Sequence, residues 1–516
     1  MTTKRVAVIG AGISGLVSVK CCNDEGLIPV CFEQGDEIAG LWNYHDELRD
    51  GEGAALYESM ITNTSRDMTC FSDFPFPKET SPFMRHERVL EYYRSYADSF
   101  GLHQFIALNT KVVKVEPAQH YRKTGQWILH LKKEGQPVKQ ELFDAVMCCT
   151  GVCTTPYTPD FDGLGDFKGL ILHSNKFRRG PDFRGKIVVV VGASNSAGDI
   201  AAEISRFAKQ VYISMRDGTW LLQRMGSGAP LDMTRNRRIY EQLPESVMNM
   251  ISQKIVLSQV NHDKLGLKSN RPLHRHVVMI NDDIANRIFC GAVKCKTAIK
   301  QLTRNSVEFV DGTVVDDVDA VVCATGYNLT FPYIDNDIIA DGARNIELYF
   351  RVFPPRLNKP TLAVIGTVRV SGPAGPVSEL QARWATRVFK GECKLPDEET
   401  MMTEVKTRKR NFFEKFGKHG VGVSSIPYQD QIAEFIGAKP NFWKLLLTDP
   451  KLAYAVMFEP CYPATYRLTG PGVWDKARET IMNARECDRS RTQSYLQLMS
   501  LLVVLFCVCF VVVQRV

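Results

Sequence analysis

The chain has no C-x-x-C pair among its 15 cysteines. Without one, no zinc ribbon is suggested. The odd count, with adjacent pairs at Cys21–Cys22 and Cys148–Cys149, suggests no disulfide framework either. Most of these thiols stand in apolar runs and read as small core residues. No nucleophile triad, paired-carboxylate site or metal-ligand cluster stands out. The opening MTTKRVAVIGAG carries an apolar run only one strand long, which is not signal-peptide architecture, so the body is expected in reducing cytosol. Charge of one sign is not concentrated: 64 Lys and Arg face 57 Asp and Glu, net +7. The basic cluster Lys406, Arg408, Lys409 and Arg410 reads as a solvated helix face, and nucleic acid is not an expected partner. Long hydrophobic runs are equally scarce, with one exception at the end of the chain.

What is present begins at RVAVIGAGISGL. Val6–Ile9 is a buried-strand pattern, and Gly10, Gly12 and Gly15 complete G-x-G-x-x-G before a helical run over 16–23. The strand PVCFEQ follows and ends at Glu33. Strand, glycine turn, helix, strand and acid, with the acid about 20 residues on, is the dinucleotide-binding fingerprint in its whole βαβ context. The glycines admit backbone N–H groups to a pyrophosphate at a helix N-terminus, and Glu33 would accept from ribose hydroxyls.

A second stretch, KIVVVVGASNSAGDIAAEIS, has the same plan with two glycines missing. Gly192 keeps the tight turn. Ser194 stands at the close-approach position and Ala197 at the packing position, a variant the fingerprint tolerates. Asn195 and Ser196 are expected to cap the helix that continues through Gly198 and Asp199. The following strand, QVYISMR, ends in Arg216 where the first unit ends in Glu33. A carboxylate suits a free ribose and an arginine suits a 2′-phosphate, so this site is expected to take NADP(H) and the first a non-phosphorylated adenine dinucleotide. FDAVMCCTG (143–151) and VDAVVCATGY (318–327) repeat one another downstream of the two turns. One nucleotide-binding design is therefore used twice, in an α/β fold of two Rossmann-like domains. Residues 220–290 break the pattern and read as an insertion over the cleft. PTLAVIGT (360–367) suits a return to the first unit.

The exception among hydrophobic runs is LMSLLVVLFCVCFVVV, residues 498–513, uncharged and almost wholly apolar. As a helix these residues span about 24 Å, against a hydrocarbon core of ~30 Å. Their Leu, Val and Phe residues sum to roughly −4 to −7 kcal/mol of insertion free energy. A C-terminal membrane-anchoring helix is expected.

FKGLILHSNKF carries Phe167, Gly169, His173 and Phe177 in the spacing F-x-G-x-x-x-H-x-x-x-[YF]. This resembles the signature of the flavin-containing monooxygenases. EIAGLWNY, with Ala39 before Gly40, Leu41 and Trp42, resembles the family's flavin-contacting G-G-L-W segment. ALYESMITNTSRDMTCFSDFPFP, ATGY, SELQARWATRVFKG and YRLTGPGVW also match. The resemblance is to animal microsomal members of the N-oxide-forming type and covers essentially the whole chain.

That resemblance implies FAD contacts at Gly10, Ala11, Gly12, Ile13, Ser14, Gly15, Glu33, Gly40, Leu41, Trp42, Asn63 and Thr64. It implies NADP contacts at Thr62, Asn63, Ser196, Ala197, Gly198 and Asp199, beside Gly192, Ser194, Asn195 and Arg216 from the fingerprint. Asn63 carries the catalytic expectation: a neutral amide beside the flavin ring can donate to a peroxide oxygen without supplying an acid that expels it. Asn63 also opens a glycosylation sequon, as does Asn328, but a cytosolic body would leave both unmodified. The implied cycle takes hydride from NADPH, forms a C4a-hydroperoxyflavin with O2, and oxygenates a soft nitrogen or sulfur nucleophile. Ketone oxygenation of Baeyer–Villiger type by the same intermediate, an uncoupled NADPH oxidase, a disulfide reductase using Cys290 and Cys295, and a tethered NADP(H)-binding protein without oxygenation are the alternatives. Expected domains are 1–153 and 327–445 for FAD, 154–326 for NADP with the insertion at about 220–290, a helical region at 446–495, and the anchor. The body is expected to face the cytosol from the endoplasmic reticulum membrane, and a homo-oligomer is compatible with the sequence.

Overall fold

Val6–Ile9 and Val188–Val190 are buried runs of β-branched and small apolar residues. Each becomes part of the middle strand of a parallel five-stranded sheet, because a strand covered on both faces needs apolar residues at every position. The computed structural model describes residues 3–47, 53–226, 228–273, 278–339, 346–416 and 423–487. In chain order its principal elements are β1 (Arg5–Ile9), α1 (Ile13–Asp24), β2 (Ile28–Phe32), β3 (Ile106–Ala107), β4 (Ala145–Cys148), β5 (Leu170–His173), β6 (Ile187–Val191), α2 (Asn195–Ile204), β7 (Gln210–Ser214), β8 (Val293–Lys296), β9 (Ala320–Cys323), β10 (Leu362–Val364) and α3 (Ala374–Lys390). The first sheet runs β10-β4-β1-β2-β3 and the second β8-β7-β6-β9-β5. All of their pairings are parallel.

The two sheets repeat one another, as the paired motifs predict. FDAVMCC supplies β4 beside β1, and VDAVVCA supplies β9 beside β6. PTLAVIGT returns to the first sheet as β10, against β4. A further repeat is not anticipated from the motifs. An antiparallel meander of three strands precedes β4 (Lys111–Pro117, Trp127–Lys132, Lys139–Phe143), and another precedes β9 (Ile299–Leu302, Val307–Phe309, Val314–Val315). Trp127 pins the first meander: its ring is fully buried and its Nε1–H donates to Thr361 Oγ1 at 3.0 Å.

The insertion is bounded by a parallel strand pair, Trp220–Leu222 with Val278–Ile280, and carries helices Leu231–Arg235 and Glu245–Gln259. The later chain wraps the first unit. α3 packs on α1, and Arg467 from the far end reaches a buried charge cluster beneath both helices. Its guanidinium meets Glu379 at 2.6 Å and Asp73 at 2.8 Å, while Lys20 meets Asp73 at 2.6 Å. The expected anchor at 498–513 lies outside the described residues. Among the described residues no helix is long and apolar enough to cross a membrane.

Candidate functional site

The first glycine turn joins β1 to α1, and each glycine there answers a different constraint. Gly10 has φ 97°. A Cβ on it would lie 3.0 Å from Cys149 O, and one on Gly15 would lie 1.8 Å from Gly10 O. These two are required by the protein's own packing. Around Gly12 the nearest atom to an added Cβ is Gly40 Cα at 3.8 Å. Gly12 is therefore dispensable for internal packing, and its small size matters to whatever approaches the turn from outside. α1 begins with no side-chain cap and no acid in its first turn. Its amides and the positive end of its dipole form a cradle for an anion.

Other elements build walls around that cradle. Both carboxylate oxygens of Glu33 accept backbone protons, from Ala11 at 2.7 Å and Gly35 at 2.8 Å. Each oxygen has a second lone pair left for a ribose hydroxyl. Ala39 holds φ 70° and donates its N–H to Ala11 O at 2.9 Å, which sets Gly40, Leu41 and Trp42 beside the turn. Leu41 is exposed and Trp42 packs on Tyr93. On the other side Ser14 Oγ lies 3.1 Å from Ser378 Oγ of α3. The last residue of the β10 turn, Gly366, has φ 78°, and a Cβ there would strike Ser14 Oγ at 2.0 Å.

The second turn has the same frame with altered details. Gly192, at φ 150°, would place a Cβ 2.5 Å from Ala324 O, as Gly10 would toward Cys149 O. Ala197 is fully buried. Its methyl carbon lies 3.1 Å from the Cβ that Gly192 lacks, so it fills the turn from inside. α2 also starts without a side-chain cap or first-turn acid. The capping expected of Asn195 and Ser196 is not formed, because the N-cap is Ser194 and Asn195 is already helical. Asn195 Oδ1 instead accepts from Ile280 N–H at 2.8 Å. The Ser194 hydroxyl points to Val278 O at 3.4 Å, toward the insertion.

The strand ends of the two units align one residue differently from the expected match of Glu33 with Arg216. Gly10 N–H donates to Phe32 O, and Gly192 N–H donates to Ser214 O. The residue equivalent to Glu33 is therefore Met215, which is buried, and Arg216 stands one residue further on and exposed. The strand end alternates faces, so the position that points into the core takes methionine and the charge follows it. Asp199 is buried among protein partners: Tyr57 Oη–H donates to its Oδ2, and Asn281 Nδ2–H to its Oδ1 at 2.6 Å. Burial pushes the Asp199 carboxyl up from the usual carboxylate range, and the Tyr57 hydroxyl pulls it back.

Thr62, Asn63 and Thr64 lie where the first unit meets the insertion. Thr62 is buried and exchanges hydrogen bonds with Met84, its N–H donating to Met84 O at 2.8 Å and its Oγ1 accepting at 3.0 Å. Thr64 Oγ1 pairs with Thr69 Oγ1 at 2.8 Å. Asp232, on the insertion, accepts both the N–H and the hydroxyl of Ser65 at 2.7 and 3.0 Å. Arg224, also on the insertion, donates from Nη2 to Asn63 Oδ1 at 2.8 Å and from Nε to Thr62 O at 2.9 Å. Sequence reasoning covered this region only as an insertion over the cleft. Arg224, Asp232, Asn281 and Tyr57 were missed, since nothing in their local spacing marks them and their partners are up to 167 positions away.

His173 of the F-x-G-x-x-x-H motif is a structural tie. Its Nε2–H donates to Gly326 O at 2.9 Å, and its Nδ1 accepts from Asn175 N–H at 3.2 Å. Asn175 Nδ2–H in turn reaches Gly53 O at 3.1 Å, so the motif joins the second sheet to the first unit. Cys21 and Cys22 are core residues, Cys290 is exposed and Cys295 half-buried, and the twelve cysteines whose side chains are described are all free thiols. Among the described residues no group of His, Cys, Asp and Glu is arranged to hold a metal.

A model of the flavin-binding monooxygenase-like family matches residues 3–513. Dimethylaniline monooxygenase [N-oxide-forming] 2 of Rattus norvegicus is 42% identical over 493 residues, covering 94% of this chain and 92% of that protein. Flavin-containing monooxygenase 5 of Rattus norvegicus is 42% identical over 496 residues, with the same coverage of 94% and 92%. Among solved structures, S-allyl-L-cysteine S-oxygenase from Allium sativum superposes with a TM-score of 0.66 at 27% identity, covering 94% of this chain and 98% of that one.

Proposed function

This chain belongs to the flavin-binding monooxygenase-like family, whose members depend on FAD and NADPH, and we propose that it oxygenates soft nitrogen and sulfur nucleophiles with O2. The single observation that carries the assignment of sites is the paired, uncapped helix N-terminus behind a glycine turn, present once in each sheet. We assign FAD to the first turn and NADP(H) to the second. Gly10, Ala11, Gly12, Ile13 and Ser14 would hold the FAD pyrophosphate on α1, with Glu33 on the ribose and Gly40–Trp42 along the rest of the molecule. Gly192 and Ser194 to Gly198 would hold the NADP(H) pyrophosphate on α2, with Arg216 on the 2′-phosphate. Asp199 acts beneath that cradle as a strut between α2, Tyr57 and Asn281.

The chemistry supplied by the bound cofactors is two-electron activation of O2, with NADPH as hydride source. The chain's own residues bind, orient and exclude water. Asn63 presents a neutral amide to the reacting oxygen. The insertion, fastened through Arg224 and Asp232, covers the segment that carries Asn63. Cys31, whose Sγ lies 3.5 Å from Gly10 O, and Cys149 adjoin the first glycine turn, but both are buried free thiols that burial raises, which does not suit the reactive dithiol of a disulfide reductase. The N-oxide-forming and S-oxygenase names of the relatives support heteroatom oxidation. The apolar run at 498–513 supports attachment of the body to the endoplasmic reticulum membrane.

The test uses full-length protein in detergent with NADPH and 18O2. A thioether should yield sulfoxide carrying one 18O per NADPH consumed. Ester or lactone from a ketone, with no sulfoxide, would replace heteroatom oxidation with Baeyer–Villiger chemistry. NADPH consumption with only hydrogen peroxide released would make the protein an oxidase, and no retained flavin would overturn the enzyme assignment.

A further inference from the structure

Arg224 is the one residue of the insertion whose side chain reaches the Asn63 amide among the described hydrogen bonds. Its side chain is only 8% exposed, and all three guanidinium nitrogens are engaged. Nε donates to Thr62 O at 2.9 Å, Nη2 to Asn63 Oδ1 at 2.8 Å and to Ile61 O at 3.4 Å, and Nη1 to Asp282 Oδ2 at 2.8 Å. Asp282 also takes the Arg224 backbone N–H on its other oxygen, at 2.8 Å. The guanidinium is thus clamped at its own backbone and fans out over three consecutive residues of the 61–63 segment.

A guanidinium has donors only, so the amide atom facing it must be oxygen. This settles which way Asn63 points. Oδ1 accepts from Arg224, and the two Nδ2 protons face away from it. An unheld amide would expose Oδ1 for part of the time, and a carbonyl lone pair repels an electron-rich oxygen where the amide protons would attract it. The same clamp extends to the second nucleotide turn. Asp282 belongs to the segment in which Ile280 N–H donates to Asn195 and Asn281 donates to Asp199, both on α2.

We propose that Arg224 is a positioning residue that locks the Asn63 amide with its protons toward the flavin site, held in place by Asp282 on the segment that also grips α2. The proposal rests on the placement of Asn63 beside the flavin. It concerns Arg224 acting through Asn63 and not on cofactor or substrate directly.

The experiment is a double-variant cycle on full-length protein: Arg224→Gln, Asn63→Leu and both together. Two readouts are taken, hydrogen peroxide released per NADPH and the visible absorption envelope of bound flavin, which responds to nearby hydrogen-bond donors. Each single variant should raise the peroxide yield by about ten-fold, the size of one lost hydrogen bond. The pair should be no worse than Asn63→Leu alone, because both remove the same interaction. The absorption change should also be shared and not summed. Independent, multiplying effects would overturn the proposal, as would an unchanged peroxide yield and spectrum in flavin-loaded Arg224→Gln. A wild-type yield in Asn63→Leu would instead sink the placement of Asn63 and take the proposal with it. Should Arg224→Gln not retain flavin, Arg224→Lys gives the same contrast. It keeps the charge for Asp282 and loses the fork. A raised yield supports the proposal and a wild-type yield overturns it.

Discussion

The carboxylate of Glu33 accepts the backbone proton of Ala11 at 2.7 Å, across the mouth of the first glycine turn. The same group takes Gly35 N–H on its other oxygen. An acid read from the sequence as a ribose acceptor is thus also the fastening of the turn. Hydrogen bonds to a charged acceptor contribute roughly 1.5–3 kcal/mol each. Glu33→Ala should therefore lower the melting temperature of the flavin-free protein as well as its flavin content. Glu33→Gln keeps one acceptor and should fall between. Loss of flavin with an unchanged melting temperature would mean that the turn does not depend on this carboxylate.

Gly15 and Ala197 are equivalent in the two turns and should respond oppositely to exchange. A methyl at Gly15 would meet Gly10 O at 1.8 Å, so Gly15→Ala should abolish flavin retention and folding. Ala197→Gly should cost about 1 kcal/mol from helix propensity alone. It should leave NADP+ affinity within about two-fold, since the Ala197 methyl is fully buried under the turn. Thermal unfolding and an NADP+ titration of the two variants decide the matter.

Tyr57→Phe removes the hydroxyl that donates to Asp199. Burial already raises this carboxyl, and the Tyr57 hydroxyl is the first of the groups that lower it, before Arg224 and Asn281. Removing the donor raises it further. A carboxyl whose folded value is raised contributes stability below the unfolded value near 3.9 and loses it as pH rises through the folded value. The variant should therefore be destabilised by about 1–3 kcal/mol at pH 8 and by less at pH 5. Denaturant melts at the two pH values test this, and an equal loss at both would contradict it.

The cluster of Lys20, Asp73, Glu379 and Arg467 is a buried network, with Glu379 1% and Arg467 4% exposed as side chains. Burial raises the Asp73 carboxyl, but Arg467 and Lys20 together outweigh it and leave it below the usual range. Its contribution is thus present above the unfolded value near 3.9 and is lost as pH falls through the lower folded value. Arg467→Met leaves Glu379 without its ion-pair partner and Asp73 with Lys20 alone, and should cost about 3–5 kcal/mol at pH 7. The Asp73 part of the deficit should shrink in melts taken below about pH 4, as pH falls toward that carboxyl's lowered folded value.

Removal of residues 498–513 should release the protein from membranes under conditions where the full chain stays in the pellet. The apolar run is worth roughly −4 to −7 kcal/mol of insertion. A truncated chain that still sediments with membranes would move the attachment elsewhere.

The two glycine turns and the strands before and after them were legible because each is a local pattern. A glycine turn is written in consecutive residues, and buried parallel strands announce themselves by unbroken apolar runs. The family signature at Phe167–Phe177 was legible in the same way, but its work was not. Nothing local says that His173 reaches Gly326, 153 positions on. Arg216 stands one residue past the position equivalent to Glu33, because the alternation of faces at the end of β7 is set by pairing with β6. The Asn195 and Ser196 caps failed for a similar reason: the helix starts one residue earlier, and the insertion claims Asn195.

What the sequence by itself determined is the architecture of two α/β units and the glycine turns that open their helices, since backbone conformation and apolar periodicity depend on neighbours in the chain. Only the tertiary structure decided how Asn63 is held. Its partner Arg224 is 161 positions away and comes from an insertion that obeys neither repeat. A side-chain hydrogen bond of that range depends on where two separate elements dock, and docking is a property of packed surfaces that no window of sequence contains.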